Sequence, residues 1–188
     1  MIYGDGIRLR ALEKEDLPHF VRWLNDPEVR DHLNLYHPLS MEDETRWFEE
    51  QMKQDPVQRP LSIEIQPTGE EWILVGNCGL VTLDWRNRAA ELGIQIGEKA
   101  YWNQGYGTRA IQVLLKYGFQ TLNLHRLWLR VYSSNPRAIR VYQKAGFIHE
   151  GTLREGHFQD GRYVDVEIMS VLREEWYARQ EKELPHDA

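Results

Sequence analysis

Ile7, Leu9 and Ala11 alternate with Arg8 and Arg10, the two-residue period of a strand with one buried face. Leu17, Phe20, Val21 and Leu24 then recur at three- and four-residue spacing, which predicts a helix stopped by Asn25-Asp26-Pro27. Ser40, with Asp43 three residues on, has the spacing of a helix start, and Trp47, Phe48 and Met52 give that helix an apolar stripe. Strands are expected over 61–65 and 73–83 around the turn Pro67-Thr68-Gly69, followed by a polar connection at 84–88 and a strand at 91–97. After Gly105 and Gly107, Ile111, Leu114 and Leu115 predict a helix running to Phe119. Leu127, Leu129 and Val131 alternate with Arg126, Trp128 and Arg130, again a strand. Asn135 as N-cap, Pro136 at the first helical position and Gly146 past the end bracket a short helix. Segments 147–158 and 162–172 flank Asp160-Gly161, a hairpin signal. The predicted order, β-α-α-β-β-β-α-β-α-β-β, describes an α/β (α+β) fold with a mixed central sheet of about seven strands flanked by helices. It is expected to form a single domain over residues 1–175, with a fraying polar tail at 176–188.

Composition narrows the class. The 188 residues suffice for one full core. No apolar run approaches a membrane span and the first ten residues do not read as a signal peptide, so a cytoplasmic protein without a membrane partner is expected. Cys78, the one cysteine, lies in the apolar run I-L-V-G-N-C-G-L-V and reads as a buried structural thiol. A net charge of −6 disfavours nucleic acid as a partner. The charge is unevenly spread: between Lys99 and His149 there are eight Lys or Arg and no acid, so all 29 carboxylates lie outside that stretch. Either the surface charge is patchy by chance, or the segment holds a polyanion and the acidic remainder attracts a cation. The seven histidines show no metal-ligand spacing, and no metal is implied.

Gly105-Tyr106-Gly107-Thr108-Arg109-Ala110 matches G-x-G-x-x-A, the dinucleotide fingerprint. That fingerprint follows directly on a strand and has an acid about 20 residues later. Here seven residues separate Gly97 from Gly105, and no carboxylate follows before Glu150. No Gly-Lys-Ser/Thr follows the glycines either, which excludes a P-loop. What remains is a glycine turn opening a helix, where free N–H groups and the positive dipole end favour a phosphate, or else an ordinary unliganded turn, which is at least as common.

The strand E-L-G-I-Q-I-G, the glycine loop, the helix and strand after it, and then S-N-P-R-A-I-R-V-Y-Q-K-A-G-F together resemble the GNAT superfamily of acyl-CoA-dependent N-acetyltransferases. Within it the chain looks most like the branch holding the RimJ/RimL protein N-terminal acetyltransferases and the bacterial spermidine acetyltransferases, from I-R-L-R-A-L to D-G-R-Y-V-D-V. The superfamily's Q/R-x-x-G-x-G/A motif is met by residues 102–107 except at the first position, where Trp102 stands for Gln or Arg.

The resemblance implies that Gln104, Gly105, Tyr106, Gly107 and Thr108 hold the pyrophosphate of acetyl-CoA. Ile94, Gln95 and Ile96 would pair with the pantetheine amides where neighbouring strands splay, an N–H near Ile96 polarising the thioester carbonyl. Asn135 and Arg137 would add coenzyme contacts, Asn135 serving as N-cap, amide donor or both. Tyr142 occupies the tyrosine of N-x-x-A-x-x-x-Y-x-x-x-G-F and is the expected general acid for the leaving thiolate; its helical spacing from Ala138 and Ala145 equally fits a core aromatic. Glu91 is the candidate base through water, or else a solvated strand end. Asp26, Glu28 and Asp31 would attract a cationic acceptor, or are simply solvated. The acceptor expected first is a protein or peptide α-amine, with a polyamine as the alternative. A silent acyl-CoA sensor and a nucleotide-binding interaction domain are the other classes. Seven tryptophans leave room for a homodimer face.

Overall fold

A computed structural model describes residues 1–69 and 71–183, apart from the side chain of Glu183. The described residues fall into two compact units: Met1–Thr82 with Leu92–Leu114, and Leu83–Glu91 with the chain from Leu115 on. Among them are eight strands, β1 (Ile2–Gly4), β2 (Ile7–Ala11), β3 (Leu61–Ile65), β4 (Ile73–Asp84), β5 (Ala89–Ile96), β6 (Arg126–Tyr132), β7 (Ile148–Gln159) and β8 (Arg162–Leu172). The helices are α1 (Leu17–Leu24), α2 (Pro27–Arg30), α3 (Met41–Met52), α4 (Tyr106–Lys116), α5 (Pro136–Ala145) and α6 (Arg173–Glu183).

In the first unit β1, β2, β3 and β4 pair in sequence order, all antiparallel. Ile7 and Leu9 face the core opposite Ile65 and Ile63, and all four are fully buried. Helix α1 presents Leu17, Phe20 and Trp23 to a cluster completed by Leu12 and Val29, with Trp47 and Phe48 of α3 packed against it. The Ser40 start is a capping box: Asp43 N–H donates to Ser40 Oγ, and Ser40 N–H donates to Asp43 Oδ2. The expected stop at Asn25-Asp26-Pro27 ends α1 but also begins α2, since Asp26 accepts from Glu28 N–H and Pro27 needs no hydrogen-bond acceptor. Gly76 is dictated by a neighbour in β5: a Cβ there would lie 2.0 Å from the Gln95 carbonyl oxygen.

In the second unit the order runs β5-β6-β8-β7; β5 is parallel to β6 and the other pairs are antiparallel, so the sheet is mixed as expected. Leu127 and Leu129 point inward and are fully buried. Two further elements differ from expectation. Strand β1 escapes the pattern because its burial is slight and gives no alternation to read. The tail expected to fray from Trp176 is instead part of α6, anchored by Trp176, whose ring lies 5.7 Å from that of Phe119. Residues 184–188 of that tail lie outside the described residues. No helix among the described residues is long and apolar enough to cross a membrane.

Candidate active site

Helix α4 opens where the glycines were expected to matter. Arg109 N–H donates to the Gly105 carbonyl at 3.0 Å, the first hydrogen bond of the helix. The N–H groups of Tyr106, Gly107 and Thr108 precede it and have no intrahelical acceptor. Gly105 sits at φ +84°, a left-handed conformation, and a Cβ on it would meet nothing within 4 Å. The turn therefore offers N–H groups without intrahelical acceptors at a positive dipole end, which suits an anionic phosphate. Gln104 and Gly105 are exposed and Thr108 half-buried, whereas the Tyr106 ring is buried edge-on to Tyr101. Arg109 lies over the Tyr106 ring and donates to the Asp5 and Gln104 carbonyls, so it braces the turn.

Upstream, among the described residues, the β5–β6 ladder pairs Ala89, Ala90 and Glu91 with Arg126, Leu127 and Trp128, and β5 runs on to Ile96. The backbone of Leu92–Ile96 on that edge lies outside the ladder, and Ile94, Gln95 and Ile96 are half-buried. An amide-bearing chain can be taken up as an added strand at such an edge.

The second unit supplies the other expected residues. Asn135 Oδ1 accepts from Ala138 N–H at 3.0 Å and caps α5, which leaves its Nδ2 as the group able to donate to a ligand. Burial pulls the Arg137 guanidinium below its usual value. Tyr142 is 8% exposed and packs against Phe147, with ring centroids 5.8 Å apart. Burial pushes its phenol up to about 12, so it is fully protonated at any working pH. Glu91 is buried and accepts from Arg130 Nε at 2.8 Å in an ion pair. Rather than a solvated strand end, it is a braced carboxylate.

The acidic candidates for the acceptor are also engaged. Lys99 Nζ lies 2.7 Å from both Asp26 Oδ2 and Glu28 Oε2. The Lys99 ammonium is the main reason that the Asp26 carboxyl lies below the usual range. Asp31, at the end of α2, is exposed and has an interaction of its own. The basic run of 99–149 is thus partly neutralised within the protein, Arg126 being paired with Glu150 as well. No group of three or more His, Cys, Asp or Glu among the described residues is placed to hold a metal ion. Burial raises the Cys78 thiol to about 12, which makes it inert.

Sequence reasoning missed Glu44, a buried carboxyl on α3 that burial pushes up to about 7. Its signal was present: it lies three and four residues before Trp47 and Phe48, on the apolar face.

The acetyltransferase (GNAT) domain family matches residues 7–148. The chain belongs to that family. It is an acetyl-CoA-dependent N-acetyltransferase with the GNAT fold. It is 31% identical over 175 residues to the spermidine N(1)-acetyltransferase of Vibrio cholerae, covering 93% of this chain and 98% of that protein. The Escherichia coli spermidine N(1)-acetyltransferase is 31% identical over 173 residues, 92% of this chain and 89% of that one. The crystal structure of spermidine N-acetyltransferase from Vibrio cholerae with CoA and spermine superposes with a TM-score of 0.83 at 28% identity, covering 93% and 99% of the two chains. These relatives favour the polyamine alternative over the protein α-amine expected first.

Proposed function

We propose that this GNAT enzyme transfers the acetyl group of acetyl-CoA to a primary amine of a spermidine-like polyamine. The similarity to spermidine N-acetyltransferases along nearly the whole chain carries the choice of acceptor. The coenzyme assignment is supported by geometry, namely the donor-rich turn at Gly105–Thr108 and the edge of β5 left outside the ladder.

The residues have the following roles. The N–H groups of Tyr106, Gly107 and Thr108, with Gln104 beside them, hold the pyrophosphate. The backbone of Ile94–Ile96 pairs with the pantetheine amides, and Asn135 Nδ2 and Arg137 add further coenzyme contacts. The acceptor must lose a proton before attack, since a lysine-like amine has a pKa of about 10.4. Attack on the thioester carbonyl gives a tetrahedral intermediate; its collapse breaks the C–S bond. Tyr142 donates its proton to the departing sulfur and is reprotonated from the nitrogen, directly or through water, so the amine proton ends on the thiol. No acyl-enzyme is needed, because Cys78 is buried and un-ionised. Glu91, held by Arg130, relays the acceptor proton through water. Asp26, Glu28 and Asp31 attract the cationic acceptor, in competition with Lys99.

That competition is the observation favouring the second acceptor class, a RimJ/RimL-like protein α-amine, which carries no second ammonium for those acids. Incubation of the protein with acetyl-CoA, spermidine and a peptide with a free N-terminus, followed by mass spectrometry, tests the proposal. A singly acetylated product is expected; unmodified spermidine alongside an acetylated peptide terminus would refute it.

A further inference from the structure

The segment from Ile96 to Gly105 is held by more contacts than a simple connection needs. Gly97 N–H and Glu98 N–H both donate to the Val75 carbonyl, at 2.8 and 3.1 Å. Gly97 lies beneath the Trp23 indole, where a Cβ would sit 2.2 Å from the ring. Glu98 pairs with Arg22, and Lys99 bridges Asp26 and Glu28. A single 3₁₀ turn, Lys99–Tyr101, follows, and Gln104 Nε2 donates to the Ala100 carbonyl at 2.7 Å. Between these anchors the Trp102 indole N–H donates to the Ile96 carbonyl at 2.8 Å, while its ring packs on the cluster that contains Trp23 and Phe20.

The Ile96–Gly97 peptide is therefore pinned at both ends: its carbonyl by Trp102 and its N–H by Val75. Only the φ and ψ of Ile96 separate that plane from the Ile96 N–H, so fixing one constrains the other. Trp102 also stands where the family's glycine motif has Gln or Arg. A long polar side chain there can reach outward, whereas the indole turns inward and ties the strand to the turn. We propose that Trp102 is a positioning residue for the coenzyme, fixing the spacing between the edge of β5 and the N–H groups of Tyr106–Thr108. A ligand that grips both elements gains from that fixed spacing, because its second contact becomes intramolecular. A ligand that grips only the strand does not. The proposal rests on the coenzyme assignment made above.

Two thioesters separate positioning from mere packing: acetyl-CoA, which spans both elements, and acetyl-pantetheine, which lacks the phosphates. Trp102→Phe keeps a ring in the cluster and removes the single donor. It is expected to lower kcat/KM for acetyl-CoA by about five- to tenfold, the weight of one hydrogen bond, and that for acetyl-pantetheine by about twofold or less. Trp102→Gln, which restores a donor without the ring, is expected to recover part of the acetyl-CoA value. Melting temperatures within about 5 °C of the wild type establish that both variants are folded. Equal losses for the two thioesters, or none for either, would overturn the positioning role. Calorimetry on the wild-type protein separates the two levels: failure to bind CoA at all overturns the coenzyme assignment itself, whereas CoA binding with equal losses overturns only the part given to Trp102.

Discussion

Replacing Tyr142 with phenylalanine removes one hydroxyl and leaves the ring in place. Tyr142 is 8% exposed, its ring is tilted 60° against that of Phe147, and the smaller side chain keeps that contact. The stability change should stay within about 1 kcal/mol, the scale of one hydroxyl. The catalytic change should be far larger, since a positioned general acid contributes about 10²- to 10⁴-fold. That corresponds to about 3–5 kcal/mol of barrier. The pH dependence is more specific. Burial raises the phenol to about 12, so at pH 9 only about one molecule in a thousand is ionised. Loss of the tyrosine proton therefore cannot limit the rate below about pH 10, and kcat should climb with pH as the acceptor amine deprotonates. Thiol release followed with a disulfide reagent from pH 6 to 10 gives both readouts. A Phe variant within about threefold of wild type would refute the acid role. A falling limb near pH 10 in the wild type, absent in the variant, would show that the phenol is not raised.

Glu44 gives a stability test with a defined sign. Its folded-state value of about 7 lies above the usual 4.5, so the native state holds the proton longer than the unfolded chain. Native stability should fall as pH rises from 4.5 to 7, by up to about 3 kcal/mol, and Glu44→Gln should remove that slope. Melting curves of the two proteins that stay parallel between pH 4.5 and 8 would contradict the assignment. Lys99→Met should leave the melting temperature within about 2 °C, because its ion pairs are exposed. By freeing Asp26 and Glu28 it should lower KM for spermidine about two- to tenfold. An unchanged or higher KM would mean that those carboxylates do not receive the acceptor.

Much of the fold was legible because it is local. The alternation of Ile7 and Leu9, the Ser40–Asp43 capping box and the Asn135-Pro136…Gly146 bracket each specify their element within a few residues. Strand β1 was illegible because an exposed edge shows no alternation, and α6 because one buried anchor, Trp176, was hidden in a polar run. The glycine turn could be read from Gly105 alone, since its left-handed backbone is a property of the residue. Charge partners could not be. Lys99 meets Asp26, and Arg130 meets Glu91, across stretches of chain that only the folded sheet brings together. The basic run of 99–149 therefore looked wholly available to a polyanion, although Lys99, Arg126 and Arg130 are each spent on an internal carboxylate.

The choice of acceptor is tested most directly by kcat/KM for acetyl-CoA-dependent thiol release with spermidine, set against peptides with free Ser, Ala or Met termini and their blocked counterparts. Polyamine acetylation predicts turnover with spermidine and background rates with every peptide. Turnover confined to the free-terminus peptides would contradict it and return the enzyme to the protein α-amine class.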